Sequence, residues 1–150
     1  MKYGVRAKDI MARNPTFVSS DTRLLSAIKR MAEKRIGGML VVDKGKLVGI
    51  LTEGDVLRRV LSKGLSTKKT KIGDVMTKNP VTVNSDDDLR KISKVMNDNR
   101  IGRVPVLENG KIVGYISEKD ILGVSPGLMD ILIEKLKILQ PSSRLRFRRE

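Results

Sequence analysis

VPVLENGKIVGYISEKD, residues 104–120, decides how the rest of the chain is read. Two apolar runs, VPVL and KIVGYIS, flank Glu108-Asn109-Gly110, and an Asn-Gly pair between such runs is a strong hairpin signal. The second run ends at Ser117, followed by Glu118-Lys119-Asp120 and then apolar Ile121-Leu122. That is the order of a strand entering a helix, with Ser117 at the cap. Sixty-five positions earlier, residues 39–55 read MLVVDKGKLVGILTEGD: the same hairpin, the same glycine, and a hydroxyl and an aspartate three apart. The chain is one unit written twice.

Aligned without gaps at that offset, residues 7–57 and 72–122 are identical at about 21 of 51 positions. Each unit reads as helix, strand, helix, strand, strand, helix. In the first, Ala7–Ala12 forms a helical turn ended by Asn14-Pro15, Thr16–Val18 a strand, and Ser20 or Asp21 caps a helix carrying Leu24, Ala27, Ile28 and Met31. Arg35-Ile36-Gly37-Gly38 closes that helix, with glycine expected at a left-handed C-cap. In the second, Val81–Val83 is the strand, and Ser85 caps a helix whose first turn is Asp86-Asp87-Asp88 and which carries Leu89, Ile92, Val95 and Met96. Residues 7–63 and 72–124 are thus the two motifs, 64–71 the polar linker, 128–139 an amphipathic C-terminal helix and 140–150 a basic tail. A unit of about 50 residues is too small to bury its own core well, so the expected fold is α+β, two pseudo-symmetric motifs packed sheet to sheet.

Composition narrows the function. The chain has no Cys and no His, which removes disulfides, thiolate chemistry, the usual metal ligand and the usual general base. The glycines sit at turns rather than in a phosphate-cradling G-x-x-x-x-G-K-[ST] loop. No carboxylate pair stands apart from the two helix starts, and no enzyme is read here. No apolar run approaches a membrane span or a secretory h-region, so the expected setting is cytoplasmic. A net charge of +14 points to anionic partners: phosphates, nucleic acid or an acidic protein face. Two Phe, two Tyr and no Trp leave little to stack single-stranded bases.

Gly49-Ile50-Leu51-Thr52-Glu53-Gly54-Asp55 and Gly114-Tyr115-Ile116-Ser117-Glu118-Lys119-Asp120 resemble the G-h-[ST]-x-x-D signature of cystathionine-β-synthase (CBS) domains. Asn14-Pro15, Asn79-Pro80, Arg35-Ile36-Gly37, Arg100-Ile101-Gly102 and Val104-Pro105-Val106 resemble other fixed points of that family. The resemblance covers residues 7–123. It implies a tandem pair, or Bateman module, of a stand-alone prokaryotic type, and the single Gln with abundant Lys, Arg and Glu leans toward a thermophile.

The resemblance further implies that the pair is a regulatory module holding adenosine ligands (AMP, ADP, ATP or S-adenosylmethionine) in composite clefts, with no required cofactor. Carried over residue by residue, site one takes Thr52, Asp55, Val81, Ile101 and Arg103; site two takes Thr16, Ile36, Tyr115, Ser117, Lys119 and Asp120. The carboxylate would hold ribose hydroxyls, the hydroxyl and helix start would face phosphate, and Ile101 and Ile36 would sandwich the base. Arg103 ranks site one first, because repeat one has Gly38 there; Lys119 is either a substitute cation or a solvated side chain. Thr52-x-x-Asp55 and Ser117-x-x-Asp120 also read as capping boxes, and the local sequence leaves both readings open. The expected partners are an adenosine-containing small molecule and a second copy of the chain, paired through amphipathic helices. The alternative is a DNA- or RNA-binding basic protein with vestigial nucleotide clefts, using Arg58, Arg59, Lys63, the linker lysines and Arg144–Arg149; an effector protein is the remaining expected class of partner.

Overall fold

The computed structural model of the chain describes residues 4–124; the helix expected at 128–139 and the basic tail at 140–150 lie outside them. The elements run α1 (Ala7–Ile10), β1 (Phe17–Val18), α2 (Leu24–Lys34), β2 (Gly38–Asp43), β3 (Lys46–Thr52) and α3 (Glu53–Asp55), which continues as a π-helical turn (Val56–Val60) and a 3-10 turn (Leu61–Lys63). The second repeat follows as α4 (Ile72–Val75), β4 (Thr77–Lys78), β5 (Val83–Asn84), α5 (Leu89–Asp98), β6 (Arg103–Glu108), β7 (Lys111–Ser117) and α6 (Glu118–Leu122).

Both hairpins form where the Gly-containing turns place them. Lys44-Gly45 and Asn109-Gly110 have φ of 50° and 76° in each case, the paired positive values of a two-residue turn whose twist suits the strands. Asp43 faces Lys46 and Glu108 faces Lys111 across the turns. β1 joins β2 and β5 joins β6 in parallel. Strand alternation then sorts the side chains. Met39, Val41 and Leu51 bury against Leu24, Ala27 and Met31 of α2; Val104, Val106 and Ile116 bury against Ile92 and Met96 of α5. Leu40, Ile50 and Pro105, on the opposite faces, are buried as well.

The two cores exchange their head segments. Ile72, Val75 and Met76, from the start of repeat two, complete the first core; Ala7, with Ile10 and Met11 against it, completes the second. β4 adds antiparallel to β3, Gly49 facing Lys78 and Ile50 facing Thr77. In the other sheet Ala12 bridges Tyr115 through reciprocal amide–carbonyl bonds of 2.9 and 3.0 Å. This crossing explains the glycine in both signatures. A β-carbon on Gly49 would stand 2.8 Å from the Thr77 carbonyl oxygen, and one on Gly114 would stand 2.9 Å from that of Ala12.

Three local expectations are corrected. Neither Ser20 nor Ser85 caps a helix: Ser20 bonds Asp43 through its amide and hydroxyl, and Ser85 donates to Glu108, each fastening a loop to its own hairpin. The amides opening α2 are satisfied instead by carbonyls of the 64–71 segment, Leu24 on Thr70 and Leu25 on Thr67. α5 is capped by Asp88, which accepts from the Lys91 amide at 2.8 Å, while Asp86 pairs with Lys8 and Asp87 with Lys91. The residue in the left-handed conformation after α2 is Arg35 itself (φ 52°), not a glycine. The strand expected at Val81–Val83 is Val83–Asn84.

Gly49→Ala is expected to cost about 1–3 kcal/mol, because the neighbour it meets is a backbone carbonyl that cannot swing aside. Urea unfolding with a midpoint unchanged from the parent would contradict the crossing-strand account.

Candidate functional site

Of the cavities between the repeats, two hold the hydroxyl–aspartate pairs. The first, of about 420 Å³, is lined by Thr52, Asp55, Val81, Ile101 and Arg103, all five residues that the sequence assigned to site one. Thr52 ends β3 and its hydroxyl accepts from the Asp55 amide at 3.2 Å, while Asp55 Oδ2 accepts from the Thr52 amide at 3.0 Å. That is a complete capping box. Asp55 Oδ1 accepts from the Thr77 hydroxyl at 3.1 Å and lies 3.7 Å from Arg59 Nε. The carboxylate is thus held by two elements of repeat one and a strand of repeat two, with its side chain 5% exposed.

The second cleft, of about 370 Å³, is lined by Thr16, Ile36, Tyr115, Ser117, Lys119 and Asp120, all six residues assigned to site two. Asp120 Oδ2 accepts from the Ser117 amide at 2.8 Å and from its hydroxyl at 3.1 Å. Among the described residues Oδ1 has no hydrogen-bond partner, and the side chain is partly exposed. The Tyr115 hydroxyl is buried without a partner. Burial pushes its pKa up to about 12; Arg103 works against that rise and Asp120 adds to it. The phenol therefore stays a neutral donor at ordinary pH.

Arg103 lines both clefts rather than the first alone. Its guanidinium lies over Gly37, where any β-carbon would overlap it, and its stem passes 3.4 Å from a β-carbon built on Gly38. Gly37 and Gly38 are small because a cation and the Tyr115 hydroxyl, 3.0 Å from the β-carbon position of Gly38, occupy that space.

Sequence reasoning missed four side chains at the clefts. Arg35 and Arg100, at equivalent helix ends with φ of 52° and 54°, line the second and first clefts respectively. They served the sequence reading only as repeat markers, although their identical placement was itself a signal. Arg58 folds over Gly54 at the edge of the first cleft. Thr77, in a two-residue strand, gave no local signal. Among the described residues no group of three His, Cys, Asp or Glu could hold a metal ion, and no helix is long and apolar enough to cross a membrane.

Two β-α-β-β-α motifs, each closed by the other's head segment and with clefts between them, define a pseudo-symmetric tandem α+β pair. A family model described as CBS domain matches residues 7–62 and again 72–127, so the chain belongs to the CBS domain family. It is 34% identical over 109 residues to the CBS domain-containing protein CBSX3, mitochondrial, of Arabidopsis thaliana, covering 69% of this chain and 53% of that one; the chain spans about half the length of this relative. Among solved structures it resembles the CBS domain pair of protein MJ0100 in complex with 5′-methylthioadenosine and S-adenosyl-L-methionine: TM-score 0.75, 28% identity, 83% of this chain and 98% of that one. It also resembles the hexameric CBS-CP12 protein from bloom-forming cyanobacteria, with TM-score 0.77, 26% identity, and 89% and 78% of the two chains covered.

Tyr115→Phe removes a buried hydroxyl that the fold leaves unpaired, and is expected to hold or raise stability by up to about 1 kcal/mol. The sign with pH follows from the raised value. The unfolded phenol ionises near 10.0 and the folded one near 12, so the parent loses stability across that window and the variant does not lose this share. Denaturant midpoints of both proteins measured from pH 9 to pH 12 check this; a parent–variant gap that stays constant would contradict it.

Proposed function

We propose that this CBS pair is a regulatory module that senses adenosine-containing ligands, AMP, ADP, ATP or S-adenosylmethionine, in the clefts between its repeats. The observation that carries the reading is the convergence, in each cleft, of one repeat's hydroxyl–aspartate pair with an apolar residue of the other repeat and a nearby arginine. In the first cleft Thr52 and Asp55 meet Val81, Ile101 and Arg103. In the second Ser117 and Asp120 meet Thr16 and Ile36, with Tyr115, Lys119 and Arg103 beside them. A carboxylate suits a sugar hydroxyl, an isoleucine wall suits a base, and a guanidinium suits a phosphate. The adenosine compounds in the complex of the similar protein MJ0100 lend the same support.

One of the cations that favoured nucleic acid is tied to the fold: Arg59 pairs with Asp55 and donates to the carbonyls of Val75 and Met76, although its side chain is 47% exposed. Downstream, the module acts through an effector protein or through its own dimer.

A thermal-shift panel of AMP, ADP, ATP, NAD and S-adenosylmethionine tests the reading. At a hundred times its Kd a ligand that binds only the native state adds about 2.7 kcal/mol, a melting shift of roughly 5–10 °C for a domain of this size. No shift with any of them, together with tight, steeply salt-dependent binding to a DNA or RNA duplex, would replace the sensor with the nucleic-acid reading.

The module is also proposed to pair with a second copy. The apolar faces of α2 and α5 are spent on the two cores, and among the described residues the most exposed large apolar side chains are on the helix after β3, Leu57 and Leu61 at 60% and 57%, with Leu122 after β7 at 44%. Light scattering is expected to give twice the 16.7 kDa of one chain. Leu57→Lys with Leu61→Lys should shift the protein to the monomer mass, and a parent that already scatters as a monomer at micromolar concentration would sink the idea.

A further inference from the structure

The two clefts differ at the residues that decide what each aspartate can do. Asp55 is occupied by the Thr52 amide, the Thr77 hydroxyl and the nearby Arg59, and its side chain is almost wholly buried. At the fixed offset, the positions of Thr77 and Arg59 become Ala12 and Val124, which have no polar side chain. The crossing segment that locks one carboxylate therefore leaves the other alone. Asp120 keeps Oδ1 without a partner among the described residues, at the wall of its cleft.

The divergence continues around the cavity. Tyr115 stands where repeat one has Ile50, Arg103 where it has Gly38, Lys119 where it has Gly54, and Thr16 where repeat two has Val81. The second cleft thus gains two hydroxyls and an ammonium, and the Arg103 guanidinium leans over Gly37 on its side. The first keeps apolar walls at Ile50, Val81 and Ile101 and has Arg58, Arg100 and Arg103 as cations, but no hydroxyl in the place of Tyr115 and no ammonium in the place of Lys119. A buried hydroxyl with no acceptor is a standing cost to the fold unless something supplies one.

We propose that the ligand binds in the second cleft, one per chain, with Asp120 Oδ1 accepting from a sugar hydroxyl and the Tyr115 hydroxyl and Arg103 facing an anionic acceptor, while Asp55 serves as a structural clamp between the repeats. This rests on the sensor reading above and reverses the ranking that Arg103 gave from sequence alone. The ligand class is a ribosyl phosphate, because the cleft combines a free acceptor with a neutral donor and cations.

The test is calorimetric titration of the full chain with AMP and adenosine. The parent is expected to bind AMP at one site per chain and more tightly than adenosine. Asp120→Asn should weaken AMP by roughly tenfold to a hundredfold, Thr16→Arg should block the cleft, and Tyr115→Phe should weaken AMP several-fold without lowering the ligand-free melting temperature. Asn99→Trp, at the exposed mouth of the first cleft, should leave AMP binding unchanged, whereas Asp55→Asn should lower the melting temperature. Loss of AMP binding on Asn99→Trp with retention on Thr16→Arg would overturn the assignment and leave the sensor reading standing, as would two equal sites per chain. A parent that binds no adenosine compound overturns both.

Discussion

The structure depends on an exchange: each repeat lends its head segment, residues 7–12 or 72–78, to the other's sheet. A unit of this size cannot cover its own hydrophobic surface, and here Ile72, Val75 and Met76 close the first core while Ala7 closes the second. The lent segments pass so near β3 and β7 that only glycine fits at positions 49 and 114. That one steric requirement ties the glycine of each signature to the folding of the opposite repeat, so neither motif is complete alone. It also sets where the clefts open, because the crossing backbone runs beside the first turn of α3 and of α6.

One consequence is that near-symmetry of backbone need not mean equivalence of chemistry. The two helix starts share one bond, amide to carboxylate, at 3.0 Å in one and 2.8 Å in the other. The Thr52 hydroxyl accepts from an amide, whereas the Ser117 hydroxyl donates to the carboxylate. What else differs is supplied from outside the box, by whichever residue the crossing segment carries there. A carboxylate buried with hydroxyl, amide and guanidinium partners is a fixed structural element, since removing it would strand several donors at once. A carboxylate with one oxygen on its cap and the other vacant in a cleft keeps an acceptor for something else. The same local motif therefore serves packing at one copy and remains open to recognition at the other.

The hairpins, the repeat and the helix faces were legible because each rests on local chemistry: paired turn residues, period-two strands and apolar stripes at three and four. The misread caps share a cause. Ser20 and Ser85 stand where caps usually stand, but Asp43 and Glu108, twenty-three residues further on, take their hydroxyls. Once α2 receives carbonyls from Thr67 and Thr70, a side-chain cap is no longer needed. β4 was invisible because two exposed residues carry no period and pair only with the other repeat. The composition of the clefts was legible only through the family resemblance, since locally each hydroxyl–aspartate pair is just a cap. Of the clamp on Asp55, the i,i+4 spacing to Arg59 was visible in the sequence, whereas Thr77 is brought in by the fold.

The arginines at the helix ends show the same division between packing and site. A left-handed backbone costs a non-glycine residue roughly 1–2 kcal/mol, and glycine is the usual remedy. Here the chain has glycine two positions later, at Gly37 and Gly102, and leaves Arg35 and Arg100 to adopt the strained angles. Glycine stands instead under charged side-chain ends: over Gly37 lies the Arg103 guanidinium, and over Gly102 the Glu118 carboxylate, 3.1 Å from where a β-carbon would be. Stability alone would put the glycines at 35 and 100. Both strained residues are arginines, and each lines a cleft. Strain kept twice, at equivalent positions and beside the same kind of cavity, is what a site imposes on a fold rather than what a fold needs for itself.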